Sequence, residues 1–552
     1  MSGLLQDRVT RQAESRPHAT AVVSGAERLS YAQLDAASNR LARTLREAGV
    51  GKGDRVCFLM PKSPAALVCM LGILKAGAIH VPLDAASPAA RIRKILAACE
   101  ARSLLAAGRV APLLEELFAD AGAQSSLSLG WLEDTAPETG NVRPAFLLGD
   151  IERASSAGIE PGTCAGDPAH ILFTSGSTGV PKGVVITHAN VASFVQWGIS
   201  HFGIGHGDRL SGHTPLHFDL STFDVFGTYA AGAELHLVPR EVALLPAKLA
   251  QFIRNSGLTQ WFSVPSVLQY MAKADALRHG DFPQLRRVLW CGEVLPTPAL
   301  VYWMQRLPHV RFTNLYGPTE ATIASSYHDV AACPVQDNAP IPIGVPCAGE
   351  ELLVLDERLE PVPDDTVGDL YIRGVGLSPG YWRDPDKTAA AFLPNPRLPG
   401  DRLYKTGDLG RRDGDGLFHF AGRSDTQIKS RGYRIELGEI EAALNALPGL
   451  RECAVVAIAS EGFEGWLICC AYAPDPQCGV AAQSLRTGLA RLLPAYMLPA
   501  RWMGYETLPK NANDKIDRAL LKNAFSEAES ASDRLHPQDF TNPLAARERR
   551  YG

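Results

Sequence analysis

A run of glycine and hydroxyl residues that follows an apolar strand has the composition of a polyphosphate-binding loop. Residues 171–183 read ILFTSGSTGVPKG. The glycines can adopt backbone angles that are closed to other residues, and the amides and hydroxyls of such a loop can surround phosphate oxygens. Lys182 adds a positive charge. The Walker P-loop needs Gly-Lys-Ser/Thr, whereas Lys182 lies between Pro181 and Gly183, so that motif does not match.

Three further segments carry side chains that suit a nucleotide. In NLYGPTE, residues 314–320, Tyr316 offers an aromatic face to a base, and Glu320 is a carboxylate of the kind that Mg²⁺ prefers. In YKTGD, Asp408 can accept hydrogen bonds from a ribose diol. In PKNANDKIDR, Lys515 can offset the charge that develops on a phosphate. Each has an ordinary alternative as a turn residue or a solvated surface group, and in isolation Asp408 would be a plain turn former and Lys515 a surface lysine.

Alternating strands and helices are expected to position these segments. Ser30 can cap a helix that ends near Gly49, and the runs RVCFLM, SPAALVCMLGILKAG and IHVPL read as strand, helix and strand. This pattern continues to about residue 330 and predicts an α/β fold with largely parallel sheets. The Pro-, Gly- and Asp-rich region from about 338 to 422 predicts a small antiparallel or barrel-like section, and a helix is expected to start near Glu436.

The chain length and composition indicate a soluble protein of several domains. Its 552 residues exceed one ordinary core, and 46% of them are hydrophobic. We expect a large N-terminal domain over residues 1–424, a small mobile α+β domain over 425–525 and a loose tail over 526–552. The net charge of −5 argues against a nucleic-acid partner. Without a signal peptide or an apolar run of membrane-spanning length, the expected location is the cytoplasm, with no membrane partner.

The run TSGSTGVPKG resembles the signature loop of the adenylate-forming superfamily, which includes acyl-CoA synthetases, luciferases and the adenylation domains of nonribosomal peptide synthetases. The other segments follow in the family's order over residues 25 to about 525. The resemblance implies ATP and Mg²⁺ as cofactors. It also implies two steps, in which an acid becomes its acyl-adenylate and the acyl group then passes to a thiol.

The resemblance assigns roles to individual residues. The positions that match nucleotide contacts are Thr174, Ser175, Gly176, Ser177, Thr178, Gly179, Lys182, Gly292, Glu293, Asn314, Tyr316, Gly317, Thr319, Asp408, Arg423 and Lys515. The catalytic positions are Lys515, His217 and Thr174, and Glu320 matches the metal ligand. Asp425 matches a hinge. In one pose Lys515 would serve adenylation, and in the other the loop with Lys429 and Gly432 would serve thiol transfer.

The segment HFDLSTFD, residues 217–224, bears on the substrate. By resemblance, Asp219 pairs with the α-ammonium group of an amino acid. A buried carboxylate is costly without a cation, which an amino acid supplies and a fatty or aryl acid does not. The alternative is that Asp219 simply caps a helix.

The predicted side-chain pocket is apolar or small at every matched position. By resemblance its residues are Leu220, Phe223, Ser263, Leu289, Cys291, Leu315, Ile323 and Ala324. A charged side chain would find no partner there, so we expect a small or medium amino acid: proline first, and also alanine, valine or serine. Leu220, Leu289 and Leu315 resemble free-standing prolyl-activating enzymes, whereas Ser263 and Ala324 depart from them.

The expected function is that of a free-standing amino acid–carrier protein ligase. No carrier domain follows Lys515 and no condensation domain precedes the loop, so the thiol would belong to the phosphopantetheine arm of a separate carrier protein. The alternatives are an acyl-CoA or aryl-acid ligase of the same fold and an inactive scaffold. The intact set of Lys182, Glu320, Asp408 and Lys515 argues against a scaffold.

Overall fold

The computed structural model describes residues 3–119, 127–137, 142–176, 179–336, 339–460, 465–476, 479–511 and 515–533. The strands are β1 (Thr20–Ser24), β2 (Glu27–Ser30), β3 (Arg55–Leu59), β4 (Ile79–Pro82), β5 (Ser103–Ala106), β6 (Ser128–Trp131), β7 (Pro168–Thr174), β8 (Lys182–Thr187), β9 (Arg209–Gly212), β10 (Glu234–Leu237), β11 (Gln260–Ser263), β12 (Arg287–Cys291), β13 (Arg311–Tyr316), β14 (Ser326–Val330), β15 (Val345–Pro346), β16 (Glu350–Leu355), β17 (Gly368–Gly374), β18 (Gly380–Tyr381), β19 (Phe392–Pro394), β20 (Arg402–Arg412), β21 (Phe418–Arg423), β22 (Gln427–Ser430), β23 (Tyr433–Glu436), β24 (Leu450–Ala459), β25 (Trp466–Pro474) and β26 (Arg501–Gly504).

The helices complete the scaffold. They are α1 (Asp7–Ser15), α2 (Tyr31–Glu47), α3 (Pro64–Lys75), α4 (Ala89–Ala98), α5 (Ala111–Leu117), α6 (Leu148–Arg153), α7 (His188–Phe202), α8 (Leu220–Ala231), α9 (Arg240–Ala243), α10 (Pro246–Ser256), α11 (Pro265–Lys273), α12 (Thr297–Arg306), α13 (Pro385–Ala391), α14 (Leu437–Asn445), α15 (Ala482–Ala490) and α16 (Arg518–Asp533). Among the described residues, none of the helices has both the length and the apolarity that a membrane crossing requires.

The predicted α2 helix shows how local sequence sets an element. The Ser30 side chain accepts a hydrogen bond from the Gln33 amide, and the Gln33 side chain accepts one from the Ser30 amide, which forms a capping box. Leu34, Leu41 and Leu45 then recur on one face and are buried. The cap and the apolar spacing were both readable from the sequence, and the helix is confirmed.

Two large sheets share one apolar core. The first has the order β15-β14-β13-β12-β11-β9-β10-β1-β2, and the second has the order β18-β8-β7-β4-β3-β5-β6. Val22 of the first sheet and Phe58 of the second belong to the same buried cluster, as do Leu67 of α3 and Phe223 of α8. The predicted α/β class with largely parallel sheets is confirmed.

The parallel strands place several loops at one edge of the first sheet. Strands β9, β11, β12 and β13 pair in parallel, so their carboxyl ends face the same way. The loops that follow them contain, in turn, Asp219, Val264, Gly292 and Gly317. The β7–β8 hairpin carries the glycine-rich loop.

The predicted small antiparallel section is a five-stranded sheet. Its strands run in the order β16-β17-β20-β19, and β21 pairs with β20. The elements from β22 to α16, here called the C-terminal domain, contain the β22–β23 hairpin and the three-stranded sheet β24-β25-β26. Helix α14 begins at Leu437, as expected from the sequence. Residues 526–533, expected in a loose tail, instead form the end of α16; residues 534–552 lie outside the described residues.

Candidate active site

A cavity of about 110 Å³ lies where the sheet-edge loops meet the C-terminal domain. It brings together side chains or backbone from five predicted segments. The predicted site residues that line it are Thr174, Ser175, His217, Asp219, Leu220, Gly292, Gly317, Thr319, Asp408, Arg423, Lys429 and Gly432. These segments are far apart in the sequence, so their convergence defines a candidate active site.

The glycine-rich loop is a tight turn between two paired strands. Thr174 and Lys182 are register partners at the base of the hairpin. A Cβ atom on Gly176 would lie 2.2 Å from the Val180 carbonyl oxygen, and Gly179 has a φ of +77°, so both positions require glycine. Ser177 and Thr178, both expected to contact nucleotide, lie outside the described residues.

The C-terminal domain occupies the donors of this loop. The Ser175 hydroxyl donates to the Arg434 carbonyl oxygen at 2.6 Å, and the Gly176 amide donates to Glu439 Oε2 at 3.2 Å. Lys182 Nζ lies 3.6 Å from Glu436 Oε1. Two carboxylates and a carbonyl oxygen of the C-terminal domain therefore contact the groups that were predicted to bind phosphates.

Glu320, the predicted metal ligand, is fully buried and is also engaged by the C-terminal domain. Arg434 Nη1 lies 2.9 and 2.7 Å from its two carboxylate oxygens, and the Tyr381 hydroxyl donates to Oε1 at 2.8 Å. Burial alone would raise the pKa of Glu320, but the charges of Arg434 and Lys182 outweigh it and lower the pKa to about 2. The carboxylate is therefore ionised at any ordinary pH.

The residues predicted to hold adenosine form a connected network. The Tyr316 hydroxyl donates to Asp408 Oδ2 at 2.6 Å, and Arg423 pairs with Asp408 Oδ1. Burial, and then the Asp408 charge, raise the pKa of Tyr316, so it stays a phenol donor. Arg423 also pairs with Asp425, the predicted hinge residue, at 2.7 Å. The Asn314 side-chain Nδ2 donates to the Pro342 carbonyl oxygen at 2.8 Å.

Asp219 faces the cavity instead of capping a helix. It precedes α8, but its side chain makes no capping hydrogen bond, and its Oδ2 accepts from the Thr319 hydroxyl at 2.7 Å. Burial raises its pKa, while Thr319 and the Lys429 charge lower it. The carboxylate lies beside the glycine-rich loop and its nearby countercharge is Lys429.

Most of the predicted substrate-pocket residues lie in the buried core and do not line the cavity. Leu220 lines the cavity, whereas the others are buried and do not: Phe223, Ser263, Leu289, Cys291, Leu315, Ile323 and Ala324. The reason is packing, since Phe223 fills the space beside Gly198 and Gly227, and the Ser263 hydroxyl accepts from the Trp261 ring nitrogen at 2.9 Å. The space beside Asp219 is therefore small in this arrangement.

The predicted thiol-transfer loop enters the cavity between β22 and β23. The Gly432 amide donates to Glu293 Oε1 at 2.7 Å, and Glu293 Oε2 accepts from the Ser266 amide at 3.1 Å. A Cβ atom on Gly432 would lie 2.7 Å from Val264 Cγ1. The enclosed His217 ring lines the same space, and burial lowers its pKa, which keeps it neutral.

Lys515 is not brought to the cavity. Its side chain is exposed, and its backbone amide donates to Asn511 Oδ1 at 3.1 Å. The face of the C-terminal domain that meets the cavity is the one formed by β22, β23 and α14. The expected contact of Lys515 with the site therefore does not occur in this arrangement, for the physical reason that another face of its domain is docked.

Arg91 is an interface residue that the sequence reading missed. On α4 it pairs with Glu439 of α14, and the two side chains are 7% and 2% exposed. Nearby, the Tyr433 and Tyr496 rings stack with centroids 3.6 Å apart. The sequence of α4 contains an indication that Arg91 is buried, because on a helix Arg91 lies on the same face as Ile92 and Ile95. Its partner, 348 residues away, could not have been named.

The chain belongs to the AMP-binding enzyme family, in which it is an adenylation domain of the nonribosomal peptide synthetase type. The AMP-binding enzyme model matches residues 9–382, and the model of the AMP-binding enzyme C-terminal domain matches residues 439–515. These matches cover all the cavity segments before residue 382 and most of the docked helix α14.

Similar proteins include both a protein of the same length and much longer synthetases. The chain is 35% identical over 521 residues to an L-proline–[L-prolyl-carrier protein] ligase of Streptomyces coelicolor, covering 93% of this chain and 95% of that protein. It is 33% identical over 535 residues to tyrocidine synthase 3 of Brevibacillus parabrevis, covering 97% of this chain but 8% of the synthase. The chain thus spans less than a tenth of that relative.

The solved structures include one with a carrier domain. Holo-PA1221, described as an NRPS protein containing adenylation and PCP domains bound to a vinylsulfonamide inhibitor, shares 27% identity at a TM-score of 0.77. The likeness covers 94% of this chain and 84% of that one. The predicted fold class is thereby confirmed over almost the whole chain.

Proposed function

We propose that this chain is an AMP-forming ligase that activates a small or medium apolar amino acid and passes it to a separate carrier protein. The observation that carries the proposal is Asp219, an enclosed carboxylate that opens on the cavity beside the glycine-rich loop. Such a group needs a cation, and the ammonium group of an amino acid supplies one. The likeness to a proline–carrier protein ligase supports proline as the first substrate to test.

In the first proposed step, the substrate carboxylate attacks the α-phosphorus of ATP and the bond to pyrophosphate breaks. The Ser175 hydroxyl, the Gly176 amide and Lys182 would bind the phosphates, with Tyr316 and Asp408 toward the adenosine. Lys515 would offset charge at the α-phosphate after the C-terminal domain has turned. This step needs the loop donors that the docked domain now occupies.

The residues present fit Mg²⁺ bound together with a nucleotide. The described residues hold no group of three or more His, Cys, Asp or Glu side chains arranged for a metal. Mg²⁺ in ATP sites commonly takes one or two carboxylates plus phosphate oxygens, which the ionised Glu320 would satisfy. The ion, when bound, would neutralise phosphate charge, and Arg434 must leave Glu320 for this to happen.

In the second proposed step, a carrier thiol attacks the aminoacyl carbonyl and AMP leaves. The docked arrangement suits this step, since Gly432 and Lys429 line the cavity while Lys515 is outside it. We propose that the C-terminal domain turns about Asp425 relative to the elements that precede β22 between the two steps. The Gly432 amide is bound to Glu293, and glycine has no side chain. Only backbone would therefore line the path of the carrier's phosphopantetheine arm at this position.

ATP–pyrophosphate exchange with each proteinogenic amino acid tests this proposal. We expect exchange with proline or another small apolar amino acid, followed by loading of a phosphopantetheinylated carrier protein. Silence with all amino acids but exchange with a fatty or aryl acid would favour the alternative acid–CoA ligase, in which Asp219 would lack a cation. ATP binding without any exchange would identify an inactive scaffold.

A further inference from the structure

We infer that Lys62 is a positioning residue that holds the amino-acid recognition loop, residues 213–219. Its ammonium group lies against three successive carbonyl oxygens: it donates to Gly212, to His213 at 2.6 Å and, at 3.5 Å, to Thr214. Part of the Lys62 side chain reaches the surface, but the nitrogen itself is buried. The contact joins residues about 150 positions apart in the sequence.

The three carbonyls belong to the point where strand β9 ends and the recognition loop begins. The loop has no regular structure of its own, and it carries His217 and Asp219 to the cavity before α8 starts. At its far end, the Ser221 hydroxyl donates to the Phe218 carbonyl oxygen at 2.7 Å. The loop is therefore fixed at both ends. At its start the fixing group is the Lys62 side chain, whose pKa burial lowers to about 7, so the ammonium form is the major one below that pH.

A second buried titratable group lies beside the loop start. Asp224 of α8 is buried, and its carboxyl oxygens have no hydrogen-bond partner in the described part of the chain. Burial raises the pKa of Asp224 well above its ordinary value, although the Lys62 charge and the approach of the Thr214 amide act in the opposite direction. Lys62 and Asp224 thus flank Thr214, Lys62 toward its carbonyl and the Asp224 carboxyl group toward its amide.

Three carbonyl oxygens that point at one place repel each other unless a donor of several hydrogens lies between them. An ammonium group has three such hydrogens, whereas a methionine of similar shape has none. Removing the cation leaves buried acceptors unpaired, and the loop can relieve this only by moving. Since the loop ends at Asp219, we expect the removal of Lys62 to weaken amino-acid binding and to leave ATP binding unchanged.

The inference rests on the proposed function, and a matched pair of buried lysines tests it. Lys75 is also buried, but its ammonium binds Asp35 Oδ1 at 2.6 Å and Asn39 Oδ1 at 2.7 Å, and it does not line the cavity. The experiment measures exchange kinetics and thermal unfolding for Lys62→Met, Lys62→Arg and Lys75→Met. Lys75→Met controls for the loss of a buried, hydrogen-bonded cation.

For Lys62→Met we expect a roughly tenfold to hundredfold rise in the amino-acid KM, with the ATP KM within about twofold. Lys62→Arg keeps the charge and should recover part of the loss. Lys75→Met should lower the unfolding temperature and leave both KM values unchanged. Equal rises in both KM values for Lys62→Met, or an effect no larger than that of Lys75→Met, would overturn the inference.

A second variant covers the case in which Lys62→Met does not fold. Lys62→Gln keeps a polar side chain but offers only two amide hydrogens to the three carbonyls, and it should raise the amino-acid KM several-fold while leaving the ATP KM alone. An unchanged amino-acid KM in a folded Lys62→Gln enzyme would contradict the inference. Wild-type enzyme that exchanges with no amino acid would instead reject the proposed function, so the two failures are distinct.

Discussion

Replacement of Arg91 by methionine should separate the two proposed half-reactions. Arg91 and Glu439 form an ion pair between α4 and the C-terminal domain that is almost completely shielded from water. Without Arg91, docking would bury the Glu439 carboxylate without its ion-pair partner. The carboxylate would keep the hydrogen bond from the Gly176 amide. In the undocked state the carboxylate would be solvated, so the free-energy cost of burying it without Arg91 would weaken docking alone.

The magnitude follows from the burial of the pair. Breaking a buried ion pair by removing one partner costs about 3–5 kcal/mol, and the retained Gly176 hydrogen bond reduces this to about 2–4 kcal/mol. The docking constant then falls roughly 30- to 1000-fold. The transfer rate falls by the same factor where the undocked state is favoured in the wild type, by about half that factor where the two states have comparable free energies, and by less where docking is strongly favoured.

The assay follows thioester formation from preformed aminoacyl-adenylate and a phosphopantetheinylated carrier protein, beside ATP–pyrophosphate exchange. Arg93→Met is the control: Arg93 lies on the same helix, but it and its partner Glu116 are 43% and 62% exposed, so their pair is worth at most about 1 kcal/mol. We expect slow transfer with normal exchange for Arg91→Met and normal values for Arg93→Met. Equal loss of both half-reactions in Arg91→Met, or no loss of transfer, would refute the reasoning.

Three further predictions use other contacts. Lys515→Ala should reduce exchange about 100-fold or more but leave transfer from preformed adenylate within a few-fold, because Lys515 lies outside the docked cavity. Asp219→Asn should raise the amino-acid KM about 100-fold in the exchange assay. ATP binding, measured by titration calorimetry, should be unchanged. Burial raises the pKa of Glu350 from its ordinary value of 4.5 to about 8, so the folded state loses stability progressively as pH rises from 4.5 to 8; Glu350→Gln, which stays neutral, should therefore raise the unfolding free energy by about 1 kcal/mol or more at pH 9.5 and change it little near pH 4.5.

The sequence predicted what short-range patterns determine. The capping box of α2, the start of α14 and the antiparallel section all follow from residues close together in the chain. The proximity of Asp219 and Thr319 was also predictable, because carboxyl ends of parallel strands share one edge of a sheet, whereas Thr174 comes to the site from the second sheet. Family resemblance supplied the residue numbers, and the topology brought the residues together.

The sequence could not predict which face of the C-terminal domain meets the cavity. That choice depends on contacts such as Arg91 with Glu439 and Ser175 with Arg434, whose partners are separated by more than 250 residues. It also decides whether Lys515 is near the site. The size of the substrate pocket could not be predicted for a related reason: the resemblance matches positions such as Phe223 to a pocket, but packing decides how much space is left beside them.

The docked contacts replace the charges of a bound nucleotide one by one. Arg434, a cation, lies on Glu320, where Mg²⁺ is proposed to bind. Glu439 and Glu436, both anions, lie on the Gly176 amide and Lys182, where phosphates are proposed to bind. The Ser175 hydroxyl and the Gly176 amide each have a single hydrogen, which the docked domain occupies, so docking in this pose and polyphosphate binding by these groups exclude each other. The same loop would then support the two proposed steps in order, because the docked arrangement would form only after pyrophosphate has left.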